Sequence, residues 1–217
     1  FLSENPDTII IATGGIPNLE LFETKKDLEN VYTSWDIISG DIKLSENILI
    51  YDEAGDHTGM QSAEIAIKEG STVNFMTPDR LISSEIMGMN LTPYLKNLQN
   101  KKITYSIAKR LLNVSIKGNK LNALIGSDYD ENFKYNSTYD QIFLNYGTKP
   151  LDELYFSLIP YSINKGEVDY SKFIEGKEQN IIKNKHNKFN LFRIGDAVSS
   201  RNIHAAIYDA LRLVINL

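Results

Sequence analysis

The sequence predicts an α/β fold in which helices flank a parallel sheet and an antiparallel meander follows it. Two apolar runs, DTIIIA at 7–12 and NILIY at 47–51, have the length and β-branched residues of strands buried on both faces. The second run leads through a glycine-bearing turn into an amphipathic segment, and residues 47–76 have the size of a β-α-β unit. From residue 110 the apolar period becomes two, which is typical of antiparallel strands.

Local signals place the elements around this unit. An apolar segment at 60–69 ends at Gly70 and predicts a helix, because glycine commonly terminates helices. Thr92 followed by Pro93 predicts a second helix that begins there and ends near residue 100, with threonine as N-cap and proline at the first helical position. A crossing segment with a short helix is predicted at 31–38, and strands at 72–76 and 103–106.

The same kinds of local signal predict the elements of the meander and of the last third of the chain. Leu112, Val114 and Ile116 alternate with polar residues, and similar runs occupy 121–125 and 133–137. A buried strand is predicted at 141–146, a helix at 151–159, an irregular stretch at 161–190 and a strand at 190–194. Ser199 or Ser200 is expected to cap a last helix that has one apolar face, formed by Ile203, Ile207, Ala210 or Leu211, Val214 and Leu217.

An internal repeat suggests where the domains divide. IIIATGGIP at 9–17 and IFLNYGTKP at 142–150 are both apolar strands that end in glycine, two residues and proline, and Leu19-Glu20-Leu21 and Asp152-Glu153-Leu154 follow them. We interpret them as two similar domain edges on either side of an inserted unit. The predicted division is 1–39 and 149–217 as parts of one domain, with 40–148 as an inserted Rossmann-like domain.

Composition excludes several classes of function. Lys and Arg number 23 and Asp and Glu 28, a net charge of −5, and no basic run stands out, so nucleic acid and membrane partners are not expected. The absence of cysteine excludes a disulfide, a thiol nucleophile and a cysteine-ligated metal site in this chain, and favours a cytoplasmic location. We see neither a signal peptide nor a membrane-spanning run. The chain begins at Phe1, and we expect it to be a piece of a longer protein.

The turn after residue 51 has the shape of a dinucleotide site and an unusual charge. Gly55 and Gly59 would let the backbone approach a pyrophosphate, and His57 could contact a phosphate. Three carboxylates, Asp52, Glu53 and Asp56, stand where an anion would lie, and like charges in a dry site are costly. The acidic residue expected about 20 positions on, which would hold a ribose, could only be Asp79. We therefore favour a Rossmann-like unit that does not bind NAD(P).

A second candidate site lies at two other predicted strand ends. The Asp196 carboxylate could accept hydrogen bonds from two hydroxyl groups of a ligand, and Gly195 would allow close backbone approach; the competing interpretation is an ordinary turn before the last helix. The same two interpretations apply to Thr13, Gly14 and Gly15.

Other conspicuous residues are interpreted as structural. The three histidines, His57, His186 and His204, lack metal spacing. Trp35 with Tyr32 is interpreted as a packing cluster, and Asp128, Asp130 and Glu131 as a solvated hairpin tip.

Longer stretches resemble one family of flavoenzymes. YDEAGDHTGMQSAE, DELYFSLIPYSINKGEVDY and LFRIGDAVSSRNIHAAIYDALRL are similar to the C-terminal dinucleotide-domain region of old-yellow-enzyme-type NADH:flavin oxidoreductases. That group includes trimethylamine and histamine dehydrogenases, N-demethylases and 2,4-dienoyl-CoA reductase, and the acidic turn and the last stretch are most similar to the amine dehydrogenase and demethylase branch. The resemblance covers nearly the whole chain.

The resemblance implies domain types, cofactors, partners and residue roles. Residues 1–39 and 149–217 would form parts of an FAD/ADP-type domain, and 40–148 an inserted NAD(P)-type domain. Thr13, Gly14, Gly15, Gly195, Asp196 and Ala197 would contact FAD or ADP, whereas FMN, a 4Fe-4S cluster and the substrate residues would belong to an upstream barrel domain. Gly55, His57 and Gly59 would form a degenerate dinucleotide turn, and no catalytic or metal-binding residue is expected here. An electron-transfer flavoprotein and a second copy of the protein are the implied partners.

Three hypotheses about function stay open on the sequence alone. The first is a nucleotide-binding region of a flavin- and iron–sulfur-dependent oxidoreductase. The second is a nucleotide-free structural module, and the third is a working NAD(P)H-binding domain that feeds hydride to a flavin.

Overall fold

The computed structural model describes residues 4–19 and 28–215, which form two compact units. The central unit is Pro17–Gly147, and the split unit combines Phe1–Ile16 with Thr148–Leu217. The first division falls after residue 16 rather than after residue 39, because the strand β3 (Val31–Thr33) pairs in parallel with β10 (Gln141–Asn145). The assignment of FAD-type and NAD(P)-type roles to the two units stays a prediction.

A five-stranded parallel sheet forms the centre of the central unit. Its order is β3, β10, β4 (Asn47–Asp52), β5 (Thr72–Met76) and β6 (Ile103–Ser106). The register places Tyr51 of β4 between Leu144 of β10 and Met76 of β5. The carboxyl ends of β10, β4 and β5 therefore share one edge of the sheet.

Both faces of this sheet are covered, which explains the unbroken apolar run in β4. Ile48 and Ile50 pack into a core on the face that carries the helices α1 (Ser34–Ser39), α2 (His57–Lys68) and α3 (Gly88–Leu98). Leu49 and Tyr51 pack into a second core on the opposite face. Because side chains alternate along a strand, Asp52 continues the helix face and Glu53 continues the other.

The antiparallel meander covers the second face. It consists of β7 (Arg110–Lys117), β8 (Lys120–Gly126) and β9 (Tyr135–Tyr139). The predicted alternation in the first strand is wrong at two positions, since Leu112 and Ile116 are 41% and 63% exposed. A bulge between Leu111 and Asn113 shifts the register, so that Leu111 points into the core in place of Leu112, whereas Val114 is buried as predicted.

The split unit is built around two short strand pairs. The strand β1 (Thr8–Ile11) pairs in parallel with β12 (Asn190–Arg193), and β2 (Gly15–Pro17) pairs with β11 (Thr148–Pro150). The two halves of the internal repeat thus meet at their ends, although Glu20 and Leu21 of the repeat lie outside the described residues. The helices of this unit are α4 (Glu153–Leu158), α5 (Tyr170–Glu175) and α6 (Ile203–Val214), with 3₁₀ turns at Ile159–Tyr161 and Gly195–Ala197.

Two predicted helix starts are wrong. The helix α3 begins at Gly88, so Pro93 lies inside it and Thr92 is not its cap; the threonine hydroxyl instead donates to the Gly88 carbonyl at 2.9 Å. The helix α6 begins after Asn202, whose side chain accepts the Ala205 N–H at 2.9 Å. Asparagine caps as well as serine does, and the sequence offers both types there.

The buried face of α6 also differs from the predicted one. Ile203 and Ile207 are 72% and 60% exposed, and the buried positions are Asp209 and Leu213. Leu217, the last residue of the predicted face, lies outside the described residues. A buried carboxylate on a helix indicates a specific polar contact.

Two further expectations need correction. The stretch 161–190 contains the short helix α5, which is capped by Asp169 and ends at Gly176 with a φ of +63°. Trp35 is 41% exposed, and the ring that stacks on Tyr32 is that of Phe143, 5.6 Å away.

Across the described residues, every helix is too short or too polar to cross a membrane.

Candidate functional site

The acidic turn lies at the carboxyl end of β4, against the first turn of α2. Asp52 is fully buried, and its Oδ1 accepts the Gly55 N–H at 3.0 Å and the Asn145 amide at 2.8 Å. The same amide donates to Asp56 at 2.9 Å, and Asp56 caps α2 through the Thr58 N–H. Two carboxylates of the chain therefore occupy the helix end that a dinucleotide-binding turn offers to a pyrophosphate.

Gly59 explains how the Asp52 carboxylate fits there. A Cβ on Gly59 would lie 2.8 Å from Asp52 Cγ, so the carboxylate rests directly on the helix backbone. Asp52 Oδ2 accepts no hydrogen bond within the part of the chain that the structure describes. Burial raises the pKa of Asp52 to about 7, although the N–H groups from Gly55 and Asn145 act in the opposite direction.

Gly55 and His57, the other predicted residues of this turn, also form contacts with other residues of the chain. Gly55 has a φ of +67°, and its carbonyl accepts the Glu85 N–H at 3.0 Å. His57 lies at the start of α2, with Nδ1 3.1 Å from the Tyr94 hydroxyl. Asp79, the candidate for a ribose, accepts from the Ser84 hydroxyl at 3.0 Å.

An ion-pair network occupies the meander side of the same edge. Arg110 donates to Glu53 at 2.8 Å and, through two nitrogens, to Asp128 at 2.5 and 2.7 Å. The Arg110 guanidinium lowers the pKa of Asp128, and the pKa of Arg110 is raised in return. Asp128 is exposed, as expected for a solvated hairpin tip, and is in addition fixed to the strand β7 by Arg110.

Tyrosines close this network on its buried side. The Tyr51 hydroxyl donates to Glu53 at 3.0 Å, and the Tyr51 ring packs edge-on against Tyr146 at 5.6 Å. Burial raises the pKa of both tyrosines, and the Glu53 carboxylate adds to the effect. The hydroxyls are therefore neutral donors at any physiological pH.

The second candidate site lies in the split unit, where β1 and β12 end side by side. The Ile194 N–H donates to the Ile11 carbonyl at 3.0 Å, which places the segment after β1 beside the segment after β12. Gly14 has a φ of +75° and nothing within 4 Å of where a Cβ would stand. Gly15 is crowded, because a Cβ there would collide with Thr148, and the Thr13 hydroxyl donates to the Leu151 carbonyl.

The 3₁₀ turn at Gly195–Ala197 forms the other half of this edge. Gly195 has a φ of +61°, and a Cβ there would lie 3.3 Å from the Ala206 Cβ. The half-buried Asp196 accepts the Arg201 N–H at a long 3.4 Å, whereas Ala197 is fully buried in the core of the unit. The structure thus places the Thr13–Gly15 and Gly195–Ala197 segments at the same strand edge.

Several residues that shape the two sites were missed from the sequence. Asn145, Arg110 and Arg193 each join partners that lie 41 to 93 positions away in the chain, and such pairs leave no local signal. Arg193 donates to Asp152 at 2.5 Å and to the Ala197 carbonyl at 3.2 Å, which fixes the 3₁₀ turn. Asp209 could have been found from the sequence, because it is a carboxylate within the otherwise mostly apolar stretch of α6. Among the described residues, no group of histidines and carboxylates is arranged to hold a metal ion.

The chain is similar to curated proteins that are named as a demethylase and a dehydrogenase. It is 50% identical over 212 residues to a probable N-methylproline demethylase of Rhizobium meliloti and 30% identical over 217 residues to an N,N-dimethylglycine/sarcosine dehydrogenase of Chromohalobacter salexigens. These matches cover 98% and 96% of the chain but only 31% of each relative, so the chain spans about a third of their length. No family model matches the chain.

Solved structures agree in fold. The amine oxidase HisD of Pseudomonas geniculata superposes with a TM-score of 0.73 over 97% of the chain and 29% of its own, at 20% identity. Histamine dehydrogenase of a Rhizobium species superposes with a TM-score of 0.66 over 95% of this chain and 30% of its own, at 16% identity. The flavoprotein disulfide reductase RclA of Escherichia coli superposes with a TM-score of 0.64 over 93% of this chain and 42% of its own, at 15% identity. The predicted resemblance and the predicted fold class are thereby confirmed.

Proposed function

We propose that this chain is the nucleotide-binding region of a flavin-dependent oxidoreductase of the amine dehydrogenase and demethylase kind. An adenine nucleotide, as FAD or ADP, lies at the carboxyl ends of β1 and β12. The chain binds and positions this group and supplies no catalytic residue. The proposal rests mainly on the strand edge that carries Gly14 and Asp196, where a Cβ on Gly14 would meet nothing within 4 Å and Asp196 is half-buried.

The residues at this edge suit an adenine nucleotide. Gly14 and Gly195 both have positive φ, and the space beside Gly14 lets a ligand approach the backbone. Asp196 accepts one long hydrogen bond from Arg201, so its carboxylate retains acceptor positions for hydroxyl groups. A ribose or ribityl chain supplies such hydroxyls. When bound, FAD would supply redox chemistry, whereas ADP would be structural.

The central unit is proposed to bind no NAD(P). Its dinucleotide turn holds the buried Asp52 on Gly59 and Asp56 on the helix end, and an incoming pyrophosphate would have to displace both. Asp52 fills the space beside Gly59 whether or not it is protonated, and Asp56 already accepts the Thr58 N–H that a phosphate oxygen would need. This observation disfavours a working NAD(P)H-binding domain, and a nucleotide-free module remains the alternative that nucleotide analysis would reveal.

The intact protein is proposed to act on N-methylated amines, since both curated relatives are named for such substrates. FMN, a 4Fe-4S cluster and the substrate residues would lie in an upstream barrel domain. Electrons would leave to an electron-transfer flavoprotein, and the protein would work in the cytoplasm, with self-association between copies.

Replacing Asp196 with alanine is expected to lower the affinity of the intact protein for ADP by roughly 10- to 100-fold. The variant loses hydrogen bonds to a charged acceptor, worth about 1.5–3 kcal/mol. The measurement is nucleotide released from purified, denatured protein, together with calorimetric titration of stripped protein.

Asp7→Ala provides the matched control. Asp7 is exposed and lies at the amino end of β1, so the control removes the same group at the opposite edge of the strands and should leave nucleotide content unchanged. Equal nucleotide content in the Asp196 variant and the parent would contradict the assigned role, and a parent that binds no nucleotide would favour the structural module.

A further inference from the structure

The most buried carboxylate of the split unit lies in α6 and contacts the candidate nucleotide turn. Asp209 is 7% exposed, and its Oδ2 accepts the Gly195 N–H at 3.1 Å in a fully buried hydrogen bond. A carboxylate on the buried side of a helix is costly unless it is paired. Its presence there indicates that the contact to Gly195 has a purpose beyond packing.

Arg201 supplies the pairing charge. Its guanidinium forms an ion pair with Asp209 through two nitrogens, with side-chain exposures of 39% for Arg201 and 10% for Asp209. The remaining guanidinium nitrogen, Nε, lies 3.4 Å from the Ser199 carbonyl. The loop of residues 195–201 is therefore tied to the body of α6 at both ends, by Gly195 and by Arg201.

The backbone of the same arginine also contacts Asp196, the residue that is proposed to bind the nucleotide. The Arg201 N–H donates to Asp196 Oδ1 at 3.4 Å. Any displacement of Arg201 would move the donor that orients the Asp196 carboxylate. Any loss of Asp209 would release the Gly195 N–H, which holds the backbone in its left-handed conformation.

We infer that Asp209 and Arg201 are positioning residues that hold Gly195 and Asp196 in the geometry that receives the adenine nucleotide. This inference rests on the proposed function. Neither side chain needs to touch the nucleotide, because Asp209 is buried and the Arg201 guanidinium is engaged by Asp209. The two residues act as one unit, so their effects are not independent.

Four variants of the intact, purified protein test this inference by ADP titration after the bound nucleotide is removed. Asp209→Asn and Arg201→Gln are each expected to weaken ADP binding about tenfold, since each removes one partner of a charged pair. The double variant is expected to lose no more than the stronger single variant, because coupled residues are not additive. Arg201→Lys, which restores the positive charge, is expected to recover most of the affinity.

Controls separate this inference from the proposed function and from simple misfolding. Arg212→Gln removes the same kind of charge from α6, at a guanidinium that stacks on Tyr208, and should bind ADP like the parent. Two results would overturn the inference and leave the proposed function standing. One is that the losses of affinity in the two single variants add up in the double variant. The other is that Asp209→Asn and Arg201→Gln bind ADP like the parent while Asp196→Ala does not. Parent-like affinity in Asp196→Ala, or a parent that binds no ADP, would overturn the proposed function and the inference with it. If Asp209→Asn does not fold, the comparison of the parent with Arg201→Gln and Arg201→Lys decides.

Discussion

Asp52→Asn is expected to remove a pH-dependent loss of stability worth up to about 4 kcal/mol. The carboxyl is fully buried, and burial raises its pKa from 3.8 to about 7. Between about pH 4 and pH 7 the folded state thus holds a proton that the unfolded state has released. The free energy of unfolding therefore falls as pH rises through this window, by about 1.4 kcal/mol for each unit of pKa difference.

Asparagine stays neutral at every pH and can still accept the N–H of Gly55 and the Asn145 amide. Its own amide adds buried donors, which cost about 1–3 kcal/mol at all pH values. The diagnostic quantity is hence the difference in unfolding free energy between variant and parent, which should move in favour of the variant from pH 4 to pH 8. Denaturant unfolding at several pH values measures it, and a difference that stays flat over this range would contradict the buried, protonated carboxyl.

Asp128→Asn serves as a control of opposite sign. The Arg110 guanidinium lowers the pKa of Asp128, so the stability that this carboxylate contributes is present above its ordinary pKa and is lost as the pH falls. The control variant should therefore lose stability relative to the parent at neutral pH, and the loss should shrink as the solution is acidified.

Gly59→Ala is expected to destabilise the protein by about 1–3 kcal/mol. The added Cβ would lie 2.8 Å from the Cγ of Asp52, and this carboxylate is fixed by hydrogen bonds from Gly55 and Asn145, so it cannot move aside freely. In a helix, alanine is ordinarily better than glycine by about 1 kcal/mol, so the steric cost must exceed that gain. Thermal or denaturant unfolding measures the net effect.

Gly88→Ala is the matched control, because Gly88 is also helical and has nothing within 4 Å of the position that a Cβ would take. It should be neutral or slightly stabilising. A Gly59→Ala protein as stable as the Gly88→Ala protein would show that the carboxylate does not rest on the helix. Adding Asp52→Ala should offset part of the Gly59→Ala loss, because the colliding group is then gone.

Short-range patterns were enough to predict the framework of the fold. The strand at 72–76 has the predicted bounds, and the strand at 47–52 is one residue longer than predicted, because an apolar run between turn residues is a local signal. Helix starts were less predictable where two signals compete. Pro93 marks a first turn in many helices, yet here the chain forms one more turn before it, and Asn202 caps α6 in place of the nearby serines.

The sites themselves depend on contacts that the sequence does not encode locally. The acidic character of the turn at 52–56 was evident, but not the Asn145 amide that holds Asp52 and Asp56 together from β10. The pairing of Arg110 with Glu53 spans 57 positions and depends on how the meander crosses the sheet. Asp209 was visible as a charge in an apolar helix, yet its partner, the Gly195 N–H, follows only from the packing of α6 on the turn.

The central claim is that the adenine nucleotide binds at Gly195 and Asp196 and not at the acidic turn of the central unit. Calorimetric titration of the intact protein with ADP and with NADPH, in the parent and in Asp196→Ala, tests it most directly. We expect that ADP binds to the parent, that Asp196→Ala weakens this binding at least about tenfold, and that NADPH does not reduce the flavin. NADPH binding that survives Asp196→Ala and bleaches the flavin would contradict it.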